Sequence, residues 1–122
     1  MPYELVVQAE FGAAHHLRQY KGKCERLHGH NWKVDVYLAA RTLDQDGLVM
    51  DFVEAKAVIG RVLEKFDHYC LNEVAPFDKL NPTSENIARV VAVEVGRCLP
   101  RRVRVARVTA WESDRCGATY VP

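Results

Sequence analysis

The most constraining feature of the chain is a period-two run in its second quarter. Trp32, Val34, Val36 and Leu38 alternate with Lys33, Asp35 and Tyr37. Strict alternation of this kind predicts a β-strand over residues 31–40 with one face in a core and the other facing out. A first strand is predicted over Tyr3 to Phe11, centred on Leu5, Val6 and Val7. Between residues 40 and 50, Asp44-Gln45-Asp46-Gly47 has turn chemistry, with glycine available for a positive φ. A helix is predicted from about Asp51 to Phe66, where Val58, Val62 and Phe66 share a stripe with Ile59 and Leu63. A second helix starts near Thr83, with Thr83 or Ser84 as cap, Glu85 in the first turn and Gly96 and Pro100 at its end. Val103 to Trp111 and Ala118 to Val121 are the last β-rich runs.

The predicted order is β-β-α-α-β-β. Strands at both ends and helices in the middle indicate an α+β fold, a small antiparallel sheet with helices on one face. With 122 residues the chain makes a single domain. The uncovered sheet face and edges point to an oligomer. Seventeen Lys and Arg balance sixteen Asp and Glu, a formal charge of +1, which argues against a general binder of nucleic acid or membrane surfaces. Charge interrupts every apolar stretch, so no segment is expected to span a bilayer, and the N-terminus does not read as a secretory signal. Cysteines at 24, 70, 98 and 116 form no dense framework, and reduced thiols in a cytoplasmic protein are expected.

Four of the five histidines, at 15, 16, 28 and 30, lie within sixteen residues, and the fifth is His68. In an extended His28-Gly29-His30 the two imidazoles project to the same side. A hairpin would bring His15 or His16 beside them, and three imidazoles with an open fourth position make a catalytic zinc pattern. Cys24 lies close by, flanked by Lys21, Lys23 and Arg26, which favour the thiolate. It reads as a nucleophile or base, as a fourth ligand closing a structural site, or as an inert thiol. Asp67-His68 can act as an oriented imidazole only if the helix has ended before it, because adjacent helical residues do not face each other. Otherwise His68 serves the helix dipole. Glu112 could accept two hydrogen bonds from a guanidine-like edge, or sit on the surface. Arg97, Arg101, Arg102, Arg104 and Arg107 read first as a solvated or intersubunit face.

Taken in order, FGAAHHL, Cys24 with His28-Gly29-His30, GLVMDF, FDHYCLN, NPTSENIA and WES…CGATY resemble the 6-pyruvoyl-tetrahydropterin and 6-carboxy-tetrahydropterin synthase family, from about Phe11 to Tyr120. The resemblance implies a T-fold, assembled as a homohexamer whose sheets close into barrels and whose active sites lie between subunits. It implies zinc on His15, His28 and His30, with His16 outside the ligand set. Cys24, Asp67 and His68 would be the catalytic groups. Glu112 would anchor the pterin, and Thr83 and Ser84 would contribute to its pocket, although a cap role explains those two equally. The implied substrate is 7,8-dihydroneopterin triphosphate.

Cys24-Glu25-Arg26-Leu27-His28-Gly29-His30 resembles the C-x-x-x-H-G-H of queuosine-pathway members, which make 6-carboxytetrahydropterin. Its Glu25 also resembles the E-x-x-H-G-H of folate-route members, which make 6-hydroxymethyl-7,8-dihydropterin, so Glu25 is a candidate second base. A 6-pyruvoyl product, or a catalytically silent zinc-bound pterin binder, are the remaining expectations.

Overall fold

A computed structural model describes residues 1–19 and 26–122. Cys24 and Glu25, with the flanking Lys21 and Lys23, lie outside the described residues. The elements are β1 (Tyr3–His15), β2 (His28–Ala40), α1 (Phe52–Glu64), β3 (Tyr69–Cys70), a 3-10 turn at Leu71–Glu73, α2 (Ser84–Gly96), β4 (Arg104–Trp111) and β5 (Gly117–Tyr120). They form a five-stranded sheet in the order β3-β1-β2-β4-β5 with both helices on one face. The fold is the expected α+β, with one strand more than the sequence suggests. Only two residues make up β3, too few for any periodic signal, and they pair parallel to Ala13 and Ala14.

Alternation decides which side chains enter the core. On β1 the buried residues are Val7, Phe11, Ala13 and His15. On β2 Trp32, Val34, Val36 and Leu38 are fully buried. Helix α1 covers them with Ala55, Val58, Ile59, Val62 and Leu63, and α2 with Ile87, Ala88, Val91 and Val95. Asp51 caps α1 by accepting from the Val53 N–H at 2.7 Å. Thr83 caps α2 by accepting from the Asn86 N–H at 3.1 Å. Gly47 takes the expected positive φ of 80° in its turn. Helix α1 ends at Glu64, two residues short of the predicted end, but Phe66 still buries itself beneath it.

Two strands are longer than the alternation alone predicts. β1 runs four residues past Phe11, so His15 is part of the strand rather than of the loop after it, and β2 begins at His28 rather than Asn31. The extra residues pair with one another: Ala13 with His30, Ala14 with Gly29 and His15 with His28. The opposite sheet face is polar. Asp35 accepts from Gln8 and from the Trp111 indole N–H, and Arg107 pairs with Glu4 while stacking on Tyr37. No described helix is long and apolar enough to cross a membrane.

Candidate functional site: a histidine and carboxylate cluster beside a cleft

The ladder extension brings three histidines to one face. His15 and His28 are direct cross-strand partners, and His30 is two residues along β2 on the same side. Their rings meet edge to face, with centroids 4.6 to 5.2 Å apart. Trp32 closes the cluster on the core side, edge-on to His15 and His30. His15 is the deepest member, 2% exposed, whereas His28 and His30 are half-buried.

Hydrogen bonds to carbonyls set the tautomers. His15 Nδ1 lies 2.8 Å from the Pro82 carbonyl oxygen, and His28 Nδ1 lies close to that of Arg26 at 2.6 Å. A carbonyl only accepts, so each Nδ1 carries the proton and each neutral ring turns an Nε2 lone pair inward. These two Nε2 atoms are 3.0 Å apart. Burial, aided by His28, holds His15 below its ordinary pKa against the opposing pull of the Pro82 carbonyl and Glu112, which keeps the ring neutral.

Glu112 completes the group. Its Oε1 is 2.8 Å from His30 Nε2, 3.3 Å from His15 Nε2 and 3.9 Å from His28 Nε2. His30 Nε2 is buried and has no aligned hydrogen-bond partner among the described residues. One ligand atom from each of the four residues falls within 4.8 Å of the others. Lone pairs and a carboxylate oxygen converging with no positive centre among them suit a cation. A tetrahedral zinc with bonds of about 2.0–2.1 Å would space its ligands about 3.3–3.4 Å apart, a value bracketed by the His15–His28 separation and the three distances to Glu112, 2.8 to 3.9 Å, in a set whose members all lie within 4.8 Å. The four residues can hold a metal, and they fit one.

A cleft of 540 Å³ opens beside the cluster, lined by Gly12, His30, Asn31, His68, Tyr69 and Cys70 among others. His68 reaches it because the chain has left the helix. Asp67 is beyond the end of α1, and His68 takes a left-handed φ of 66°, uncommon for a side-chain-bearing residue. The His68 N–H donates to the Gly12 carbonyl, and the Gly12 N–H donates to Asp67 Oδ1 at 2.9 Å. His68 Nδ1 then lies 3.0 Å from the same Oδ1. Asp67 is held below the ordinary carboxylate pKa, first by the Gly12 N–H and then by His68. The pairing that the sequence left conditional on the end of the helix is therefore formed. No hydrogen bond or ion pair joins it to the histidine cluster among the described residues.

The remaining candidates separate. Thr83 is committed to capping α2, and neither Thr83 nor Ser84 lines the cleft, although Pro82 beside them anchors His15. The arginine run disperses. Arg102 donates to the carbonyls of Thr42 and Val49, Arg107 pairs with Glu4, and Arg97 with Glu94.

Arg18 had no signal in the sequence. Its guanidinium donates to the carbonyls of Phe77 at 2.7 Å and Leu80 at 3.2 Å, and its N–H to the Asn81 side chain. With Asn72, which bonds both the N–H and the carbonyl of His16, it ties the end of β1 to the segment carrying Pro82. Only a basic residue near a predicted loop could have hinted at it.

A family profile described as 6-pyruvoyl tetrahydropterin synthase matches residues 4–122. A putative 6-carboxy-5,6,7,8-tetrahydropterin synthase of Archaeoglobus fulgidus is 40% identical over 102 residues, 82% of this chain and 84% of the relative. A dihydroneopterin monophosphate aldolase of Pyrococcus furiosus is 32% identical over 117 residues, 96% of each chain. The solved 6-pyruvoyl tetrahydropterin synthase of Caenorhabditis elegans superposes with a TM-score of 0.88 at 27% identity, covering 98% of this chain and 95% of that one. Fold, motif order and these similarities agree, and the chain belongs to the 6-pyruvoyl tetrahydropterin synthase family.

Proposed function

We propose that the chain is a zinc-dependent 6-carboxy-5,6,7,8-tetrahydropterin synthase, a lyase of queuosine (7-deazaguanine) biosynthesis. It would convert 7,8-dihydroneopterin triphosphate to 6-carboxytetrahydropterin with release of triphosphate and acetaldehyde. The observation that carries this reading is the convergence of His15, His28, His30 and Glu112 next to a cleft that His68 also lines. The similarity to the Archaeoglobus relative supports the choice of product.

His15, His28 and His30 would hold the zinc, which when bound supplies a Lewis acid for an oxygen of the substrate side chain. Cys24, as thiolate, would take one proton. His68 would transfer another, its ring held by the hydrogen bond to Asp67 Oδ1, which leaves Nε2 for the substrate. Glu112 would anchor the flat pterin head, and Thr83 and Ser84 would contribute to its pocket as the resemblance implies. The cleft walls would hold the substrate side chain near His30 and His68, and fixed placement is where much of the rate originates.

A homohexamer is part of the proposal. Among the described residues only Ala13 and Ala14 of β1 are paired on its outer edge, and such an edge invites another strand. A cytoplasmic location agrees with free Cys70, Cys98 and Cys116.

A second reading has its own support. The Pyrococcus relative is named as an aldolase of dihydroneopterin monophosphate and is similar along nearly the whole chain. With Glu25 as the base, this chain would then yield 6-hydroxymethyl-7,8-dihydropterin. One experiment separates the readings: zinc-loaded protein incubated with dihydroneopterin triphosphate or monophosphate, with products identified by mass spectrometry. 6-Carboxytetrahydropterin with acetaldehyde supports the first. The 6-hydroxymethyl product from either substrate supports the second. No turnover of either overturns both and leaves a pterin-binding oligomer.

A further inference from the structure

Arg18 stands three residues after His15 and holds a stretch of chain 54 to 63 residues away. Its guanidinium donates to the carbonyls of Phe77 at 2.7 Å, Leu80 at 3.2 Å, and Asn72 and Asp78 at 3.3 Å each. Every one of these partners is main chain, so the rigid fork fixes a backbone path. The Arg18 N–H donates to Asn81 Oδ1 at 2.9 Å, while the Asn81 carbonyl accepts from Asn86 Nδ2 and from the Thr83 N–H, each at 2.9 Å. Pro82 lies between these two held residues and has no N–H of its own to anchor it. Its carbonyl therefore sits where Arg18, Asn81 and the α2 cap put it, 2.8 Å from His15 Nδ1.

That carbonyl settles a competition inside the cluster. His15 Nε2 lies 3.0 Å from His28 Nε2, a hydrogen-bond distance. His28, whose Nδ1 proton goes to the Arg26 carbonyl, offers a lone pair there. A neutral His15 can put its single proton on Nδ1, toward Pro82, or on Nε2, toward His28. The first tautomer leaves a lone pair for a metal. The second spends the same position on a histidine–histidine hydrogen bond and closes the cluster on itself. His15 is 2% exposed, which leaves little water to replace a lost Pro82 contact. We infer that Arg18 is a positioning residue for the metal centre: by holding the Pro82 carbonyl it keeps the His15 proton on Nδ1 and the Nε2 lone pair available. The inference rests on the metal part of the reading above and not on the choice of product.

The test uses the full chain, metal-free for the tautomer and with Zn²⁺ in competition with a chelator for affinity. Long-range proton–nitrogen NMR spectra of the imidazoles, taken where the rings are neutral, distinguish Nδ1–H from Nε2–H. Wild type should show His15 as Nδ1–H. Arg18→Ala should move population to Nε2–H and weaken zinc binding by about tenfold, the lower end of what losing the hydrogen-bond partner of a ligand costs. Arg18→Lys reaches the carbonyls with one compact ammonium instead of a fork, so it should lie between the two, and it serves if Arg18→Ala does not fold. Val58→Ala, a core truncation on α1, should lower the urea midpoint while leaving both the tautomer and the zinc affinity at wild-type values.

Wild-type zinc affinity in both Arg18 variants would overturn the inference. Weakened zinc with His15 still on Nδ1, or a loss that Val58→Ala reproduces, would leave Arg18 a general stabiliser and overturn it as well. A wild-type chain that binds no zinc would overturn the metal reading and the affinity half of this inference, with the tautomer shift alone deciding whether Arg18 orients His15. A zinc-loaded wild type that converts no dihydroneopterin phosphate would sink the proposed activity and leave the role of Arg18 standing.

Discussion

His15 and His28 face each other across the β1–β2 ladder with their Nε2 atoms 3.0 Å apart, each ring fixed by a carbonyl on its far nitrogen. Two lone pairs at that distance call for a cation between them. His15→Ala, His28→Ala and His30→Ala should each lower bound zinc well below one per chain, measured by metal analysis after dialysis. Zinc affinity should also fall on acidification, because every imidazole must be neutral to bind.

Trp32 links the metal cluster to the core. It is fully buried, stacks on Phe11 at 6.2 Å and meets His15 and His30 edge-on. Trp32→Ala should cost about 3–5 kcal/mol, read from urea unfolding. Trp32→Phe should cost less but loosen both rings, so zinc affinity should fall while the fold persists.

Asp67 provides a pH signature. Its pKa is lowered in the fold from the ordinary 3.8, chiefly by the Gly12 N–H and also by His68. A lowered carboxylate contributes stability that is present above the unfolded value and lost as pH falls through the folded one. Asp67→Asn should therefore be less stable than wild type at pH 6, and the gap should close below about pH 4 as Asp67 protonates. A gap that stays constant from pH 6 to pH 2 in urea titrations would contradict the Gly12 and His68 contacts.

Gly117 opens β5 directly against Trp111. A Cβ there would lie 2.7 Å from the Trp111 ring and 3.1 Å from the Ala110 carbonyl oxygen. Gly117→Ala should destabilise by about 1–3 kcal/mol. It should also disturb the turn that holds Glu112, whose N–H donates to the Cys116 carbonyl. An unfolding midpoint equal to wild type would show that the Trp111 ring yields freely.

Chelation should abolish turnover without unfolding the chain, because the core of Val34, Val36, Leu38, Ile59, Ile87 and Val91 does not include the cluster. Circular dichroism before and after chelator checks this. Cys24→Ala should keep zinc and lose turnover. An active Cys24→Ala protein would remove that residue from the mechanism.

Much of this is legible in the sequence. The alternation at Trp32 to Leu38 and the stripe at Val58, Ile59 and Val62 are local patterns, set by side-chain period alone, and both elements are where those patterns put them. The same is true of His28-Gly29-His30, since residues two apart on a strand share a face in any fold. The cap at Thr83 is equally local. The motif order added the family, which the profile match over residues 4–122 bears out.

What only the tertiary structure decided is which distant groups meet. The strand register pairs His15 with His28 and leaves His16 outside the cluster. Pro82 reaches His15 across 67 residues of chain, and Asp67 reaches Gly12 across 55. Glu112 arrives from the turn after a third strand and comes within 2.8 Å of the His30 ring. The physical reason is range. Periodicity and capping depend on neighbours within a turn or two, whereas a register between strands depends on the packing of the whole core, and a slip of one residue in β2 would turn His28 and His30 away from His15 to the opposite face.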